Sequence, residues 1–241
     1  MTIIPAVRIQ NDQTEINLMC DKYVRTLTSL CGNDIPRVPE GYLLTATPLG
    51  DRMWDYYMIQ KYGDLQLDDI VLEVGALHTF DALYWQTLVK QVVVTDNFQW
   101  AHREYARDYM TPSEWCTYLM QKSSKIRAEH ADIMAFPYPA DTFDKLISVS
   151  THEHVIDDRR GLLECARVLK PGGTLLMTIE FNHETAMAYS SEAMLRIYNP
   201  TTLGDLIEGF ELEVLLAKEP QDVVQQARPF PLTAAFLKLR K

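Results

Sequence analysis

HADIMAFPYPADTFDKLISVSTHEHV, His130 to Val155, carries the reading on which the fold turns. Asp132 closes a strand candidate, KIRAEHAD (125–132), and FPYPADTFD is a link crowded with turn formers. An apolar run, KLISVS (145–150), then ends in THEHV. Runs of this length bounded by turn residues read as buried strands. Both flanks repeat the pattern. Further strands are expected at IVLEV (70–74), QVVVTD (91–96), GTLLMTIE (173–180), FELEVLLA (210–217) and LTAAFLKLR (232–240), with helices near 79–89, 99–109, 113–122, 158–169 and 201–208. Short apolar runs alternating with amphipathic segments indicate βαβ units around a parallel sheet covered on both faces.

Local punctuation supports these boundaries. Pro171 cannot continue the helix over 158–169, and Gly172 and Gly173 relax its exit. The link EPQDVVQQARPFP has proline at both ends and only a short apolar segment, so no long crossover helix fits between the last two strands. They are expected to be antiparallel neighbours. Upstream, a helical piece around 13–30 precedes the breaker cluster GNDIPRVPEG (32–41). DRMWDYYMIQKY (51–62) then spaces Met53, Trp54, Tyr57, Met58 and Lys61 as a helix does, with Asp51 as N-cap and Gly63 as stop. The expected organisation is an N-terminal helical cap, 1–64, on an α/β domain, 65–241.

The chain has 241 residues, enough for one sizeable core, and a formal net charge of −10. That charge, without a long run of Lys or Arg, disfavours binding to nucleic acid and favours a neutral or cationic small-molecule partner. The N-terminal MTIIPAVRIQNDQTEI lacks a basic segment followed by an apolar run, and no apolar stretch reaches membrane-spanning length. Cys20, Cys31, Cys116 and Cys165 are scattered without C-x-x-C spacing. Reduced thiols in a cytoplasmic protein are expected.

Two strand ends carry acids. VLEVG places Glu73 just before Gly75, at the edge where open α/β sheets bind ligands, and QVVVTD ends in Asp96 about 20 residues later, where a nucleotide-binding sheet puts a carboxylate against ribose hydroxyls. An ordinary strand-to-helix turn and a helix-capping Asp are the plain alternatives. Added to these, ADIMAFPYPADTFDKLISVS, EHV and ECARVLKPGGTLLMTIE resemble, in order, the motifs of the class I S-adenosylmethionine-dependent methyltransferases, in the broad small-molecule group. The tail agrees, LGDLIEGFELEVLLAKEP followed by LTAAFLKLRK resembling the terminal helix, strand six and reversed strand seven. The resemblance spans roughly Leu65 to Lys241.

It implies a doubly wound, Rossmann-like seven-stranded sheet of order 3-2-1-4-5-7-6 with strand seven antiparallel, and S-adenosylmethionine as cofactor. Glu73 would reach the cofactor ammonium, directly or through water, Gly75 would let the backbone approach, and Asp96 would hold the ribose hydroxyls. Asp132 would accept from the adenine amino group while the Ile133 N–H donates to the ring; Ser150 and Thr151 would line the methionine and sulfonium region. Acids and carbonyls suit a sulfonium cation irrespective of family.

The chain departs from the family at the first turn. Where G-x-G-x-G is usual it has Gly75, Leu77 and Thr79, and side chains narrow the backbone choices there. A pyrophosphate turn needs bare N–H groups around phosphate oxygens, so this loss weighs more against a nicotinamide dehydrogenase than against a cofactor without phosphate. It also motivates a rival reading, a methyltransferase fold without activity that serves as a binding scaffold.

THEHV offers His154, then His152, as bases near the transferred methyl, since imidazole titrates close to neutral pH. The plain alternative buries one histidine under the next helix and leaves the other solvated. Some relatives bind a divalent ion through E-x-x-E-H and a later His. Here the first Glu position is Ser150, leaving Glu153, His154 and His183 as metal candidates and no metal assigned. Trp54, Tyr56, Tyr57 and Tyr62 read mainly as packing, with room for some to wall a substrate pocket.

Overall fold

The computed structural model describes residues 7–9, 13–32, 52–76, 79–99, 110–220 and 233–241. Asp51, Leu77, most of the 32–41 breaker cluster, the link from 221 to 231 and, beyond Gln99, the helix expected near 99–109 lie outside the described residues.

The strands are β1 (Val7–Ile9), β2 (Ile70–Val74), β3 (Gln91–Asp96), β4 (Ile126–His130), β5 (Phe143–Val149), β6 (Leu169–Phe181), β7 (Met187–Ser190), β8 (Leu195–Ile197), β9 (Glu213–Pro220) and β10 (Thr233–Arg240). The helices are α1 (Gln13–Cys31), α2 (Arg52–Tyr62), α3 (Asp81–Trp85), α4 (Pro112–Lys122), α5 (Asp158–Val168) and α6 (Pro200–Ile207). The main sheet runs β1-β9-β10-β6-β5-β2-β3-β4. Without β1 this is the expected 3-2-1-4-5-7-6 order, and β10 is antiparallel to both β6 and β9. The sheet nevertheless has eight strands among the described residues, not seven. Val7 to Ile9 pair in parallel with Lys218 to Pro220, a three-residue segment too short to show any periodicity.

Alternate residues feed two cores. Val71, Val92, Val94, Ile126 and Ile147 face α1 to α4, whereas Leu72, Val74, Val93, Leu146 and Met177 face α5 and α6. Every one of these side chains is buried, which is why β2 and β3 read as nearly unbroken apolar runs, whereas the edge strand β4, IRAEH, alternates. The parallel register of β2 with β3 and β5, and of β3 with β4, brings the carboxyl ends of four strands to one edge.

Helix ends follow local chemistry. Thr111 and Glu114 form a reciprocal capping box with Pro112 in the first turn of α4, and Asn199 caps α6 in the same manner with Thr202. The helix expected over 79–89 is shorter: α3 ends at Trp85. Thr87 and Leu88 donate backbone N–H groups to residues three back, and the Thr87 hydroxyl also donates to the Tyr84 carbonyl, 2.8 Å away. Such side-chain competition tightens the chain out of the α form. The hairpin β7–β8 stands outside the main sheet between β6 and α6 and was not apparent from sequence. No helix among the described residues is long and apolar enough to cross a membrane. All four cysteines are free thiols.

Candidate active site

A cavity of about 430 Å³ opens where β2, β3, β4 and β5 end. Glu73, Gly75, Asp96, Asp132, Ile133, Ser150 and Thr151 all line it, as does His154.

Gly75 and Thr151 interlock at its floor. Gly75 has φ +69°, and a Cβ there would sit 2.3 Å from Thr151 Oγ1. No other residue fits that conformation and that gap together. Thr151 Oγ1 lies 3.2 Å from the Val74 carbonyl and 3.0 Å from that of Val149, so it bridges the ends of β2 and β5. The Gly75 N–H donates to the Thr95 carbonyl at 2.9 Å, tying the same turn to β3. Among the described residues of this turn only Gly75 has a positive φ. Thr79 is held instead by its own hydroxyl, 2.9 Å from the Ala76 carbonyl.

The strand-end acids are fixed by their own turns. Asp96 Oδ1 accepts the Phe98 N–H at 2.6 Å, and Asp132 Oδ1 accepts the Met134 N–H at 2.8 Å. Each is an Asx turn, which orients the carboxylate before any ligand arrives. Ser150 has φ +43°, and its N–H donates to the Thr178 carbonyl at 3.0 Å. A non-glycine residue held in that region at a strand end is strained, and such strain gathers at functional sites.

Glu73 is only 2% exposed. Its Oε1 accepts from Trp85 Nε1 at 3.2 Å, while Oε2 has no hydrogen-bond partner among the described residues. Burial, and then the neighbouring Asp81, push its carboxyl well above the usual carboxylate range. Asp81, at the start of α3, also lines the cavity and accepts the Tyr23 hydroxyl of α1. Tyr23 is itself stacked on Tyr56, ring centroids 5.6 Å apart, and packed against Tyr84 at 4.9 Å. Of the four α2 aromatics considered from sequence, Tyr56 lines the cavity; Trp54 and Tyr57 belong to the core, and Tyr62 packs on Phe236. Asp81 was missed because nothing local marks it. An acid opening a helix reads as a dipole-favoured surface residue, and only the fold turns it inward beside Glu73.

The two histidines diverge. His154 lines the cavity, and its Nδ1 lies 2.6 Å from the Met194 carbonyl. His152 is fully buried away from it, with Nδ1 2.9 Å from Ser148 Oγ and Nε2 3.9 Å from Cys165 Sγ. Burial lowers its pKa to about 4. A base must reach substrate, and His152 is fully buried and does not line the cavity. Glu153 is also fully buried and His183 exposed, and neither lines the cavity; among the described residues no three His, Cys, Asp or Glu side chains gather as a metal-ligand set.

Four acidic side chains, Glu73, Asp81, Asp96 and Asp132, therefore border one cavity that no Lys or Arg lines among the described residues. Such a wall favours a cationic guest. Residues 72–177 match the family model described as a methyltransferase domain. Over 60 residues the chain is 40% identical to the ubiquinone/menaquinone biosynthesis C-methyltransferase of Geobacter sulfurreducens; this stretch is 25% of the chain and 23% of that protein, so the chain spans under a quarter of that relative's length. Among solved structures it is similar to the 4+2 cyclase SpnF (TM-score 0.63, 19% identity, 99% of both chains). It is likewise similar to the 1,6-didemethyltoxoflavin-N1-methyltransferase of Burkholderia thailandensis, solved with 1,6-didemethyltoxoflavin and S-adenosylhomocysteine (TM-score 0.59, 15% identity, 99% of this chain and 93% of that one). Residues 72–177 thus carry a methyltransferase domain, and the strand order and the acids at the ends of β2 and β3 agree with the resemblance to the class I S-adenosylmethionine-dependent methyltransferases.

Proposed function

We infer that this protein transfers a methyl group from S-adenosylmethionine to a nucleophile on a small molecule. The observation that carries the reading is the acid pair at the cavity floor. Glu73 keeps one buried carboxylate oxygen without a partner among the described residues, 2% exposed and next to Asp81. Two buried acids side by side repel, and a bound cation removes that penalty. An α-ammonium group is such a cation.

The remaining residues take roles from the same edge. Asp96 would accept the ribose hydroxyls, Asp132 the adenine amino group, and the Ile133 N–H would donate to the ring. The carbonyls of Ser150 and Thr151 would face the sulfonium, and Gly75 keeps the floor open for the methionine portion. When bound, the cofactor supplies a methyl group activated by positive sulfur. His154 would take the proton from the acceptor, and Tyr56 and Tyr189 would wall the acceptor, excluding water. The N-terminal region, 1–64, would cover the site carried by 65–241. Tyr23, which reaches Asp81 from α1, supports that division of labour. The free thiols and the net charge of −10 support a cytoplasmic setting and a partner other than nucleic acid.

The glycine-poor turn speaks for the rival reading of an inactive scaffold. Against it, the one glycine kept is the one whose place a side chain cannot take, and Thr79 needs no left-handed backbone. Fold alone does not select the reaction, as the likeness to a cyclase illustrates. Calorimetric titration with S-adenosylhomocysteine, paired with a thermal shift, tests the cofactor binding on which the reading depends. Saturable heat and a raised melting temperature are expected, whereas neither at millimolar ligand would overturn the reading.

A further inference from the structure

The hairpin β7–β8 meets the cavity at two points. Tyr189 of β7 lines it, and Met194, just before β8, presents its carbonyl oxygen to His154 Nδ1. A carbonyl oxygen only accepts, so Nδ1 must carry the hydrogen. In the neutral ring Nε2 is then the basic nitrogen. Imidazole in water prefers the opposite tautomer, with hydrogen on Nε2, so the contact selects a form that the ring would not choose for itself.

The carbonyl is held in place. Met194 has φ +50°, a left-handed conformation that a residue with a Cβ keeps only when its surroundings impose it. Arg196, two residues on, anchors the strand that follows. Its guanidinium pairs with Asp158 at the start of α5 and donates to the carbonyls of Val155 at 2.5 Å and Ile156 at 2.9 Å. Its cationic carbon also lies 5.2 Å from the centre of the Tyr189 ring. Tyr198, just after β8, adds a hydrogen bond from its hydroxyl to the same Asp158 carboxylate, at 2.8 Å. The guanidinium side chain is 13% exposed, so these bonds are made largely out of water, where bidentate contacts to fixed acceptors hold geometry well. One hairpin thus carries the acceptor for His154 and is bolted to the turn that carries His154.

We propose that β7–β8 is a positioning device: the Met194 carbonyl, fixed by Arg196, holds His154 with hydrogen on Nδ1, leaving Nε2 to receive the proton of the methyl acceptor. Met194 and Arg196 are positioning residues and touch no reacting atom. The functional meaning rests on His154 being the base, but the tautomer is readable in the ligand-free chain. Failure of one statement is therefore distinguishable from failure of the other.

The test is nitrogen NMR of the full chain labelled with 15N-histidine, at a pH where the rings are neutral, with His154 identified by the signals lost in His154→Gln. A pyrrole-type Nδ1 and a pyridine-type Nε2 are expected for His154. A pyrrole-type Nε2, or an even mixture, overturns the proposal. In Arg196→Gln, His154 is expected to move toward the Nε2–H form while buried His152 keeps its pattern and so reports an intact fold. An unchanged His154 in that folded variant removes Arg196 from the device. Met194→Gly keeps both the carbonyl and the left-handed backbone, so the Nδ1–H pattern should survive there; its loss would count against the carbonyl as the cause.

Discussion

The cavity has two sides built on different plans. On the side proposed to hold the cofactor, Glu73, Asp96 and Asp132 end or follow neighbouring parallel strands, and register alone aligns them. On the other side, His154 and Tyr189 stand on a one-turn 3-10 helix and a hairpin outside the sheet, joined by Arg196 across about 40 residues of chain. The first side uses the sheet as a ruler, and Asp96 and Asp132 are oriented by turns within two residues of themselves. The second is held by long-range polar contacts to backbone carbonyls. A sheet edge is therefore a place where a binding group is hard to misplace, and a hairpin is a place where chemistry can be altered without disturbing that edge.

The sharpest way to break the first side is at its floor. Gly75→Ala puts a Cβ 2.3 Å from Thr151 Oγ1 at a residue with φ +69°. Backbone strain and overpacking act together there, for an expected loss of about 4 kcal/mol of stability. Chemical denaturation should show it, and S-adenosylhomocysteine binding should vanish even below the lowered melting point. A variant that retains both would show that the floor yields, and with it the rule that this edge is rigid.

His152 tests whether the region beneath the second side tolerates charge. Its pKa falls from an ordinary 6.5 to about 4, chiefly through burial, with Asp158 opposing and Arg196 assisting that fall. Above pH 6.5 both folded and unfolded chains hold the ring neutral, and no stability is lost. As pH drops from 6.5 toward 4 the unfolded chain takes up a proton that the folded chain refuses, so stability declines and levels off below about 4. The full loss is about 3 kcal/mol. His152→Asn can still meet Ser148 Oγ, and it should flatten this limb of the pH–stability curve. An equally steep limb in the variant would remove His152 as its cause.

Legibility followed the same division. VLEVG, QVVVTD and HAD announced the strand-end acids because period, length and the terminal acid are local, and Glu73, Gly75, Asp96 and Asp132, read from them, line the cavity. Asp81 was illegible: its partners Tyr23 and Glu73 lie 58 and 8 residues away, and no spacing rule links them. THEHV marked two histidines without separating them. What separates them is Met194 and the Ser148–Cys165 bed, contacts made by folding. The strand β1 and the hairpin β7–β8 escaped for a related reason. At three or four residues each, they owe their strand form to partners rather than to propensity.

Glu73→Gln sharpens the comparison with the smallest of the expected effects. If the buried carboxylate exists to meet a cation, its neutral isostere should weaken S-adenosylhomocysteine binding by about 2 kcal/mol, roughly thirtyfold, by removing a charged hydrogen bond. Thermal stability should hold or rise, because burial and Asp81 already disfavour the Glu73 charge in the ligand-free fold. The two readouts must therefore move apart. A lowered melting temperature with unchanged affinity would make Glu73 a packing residue, dependent on its bond from Trp85 Nε1. The cofactor side would then owe its charge selectivity to Asp81, whose Asn variant should carry the affinity loss in its place.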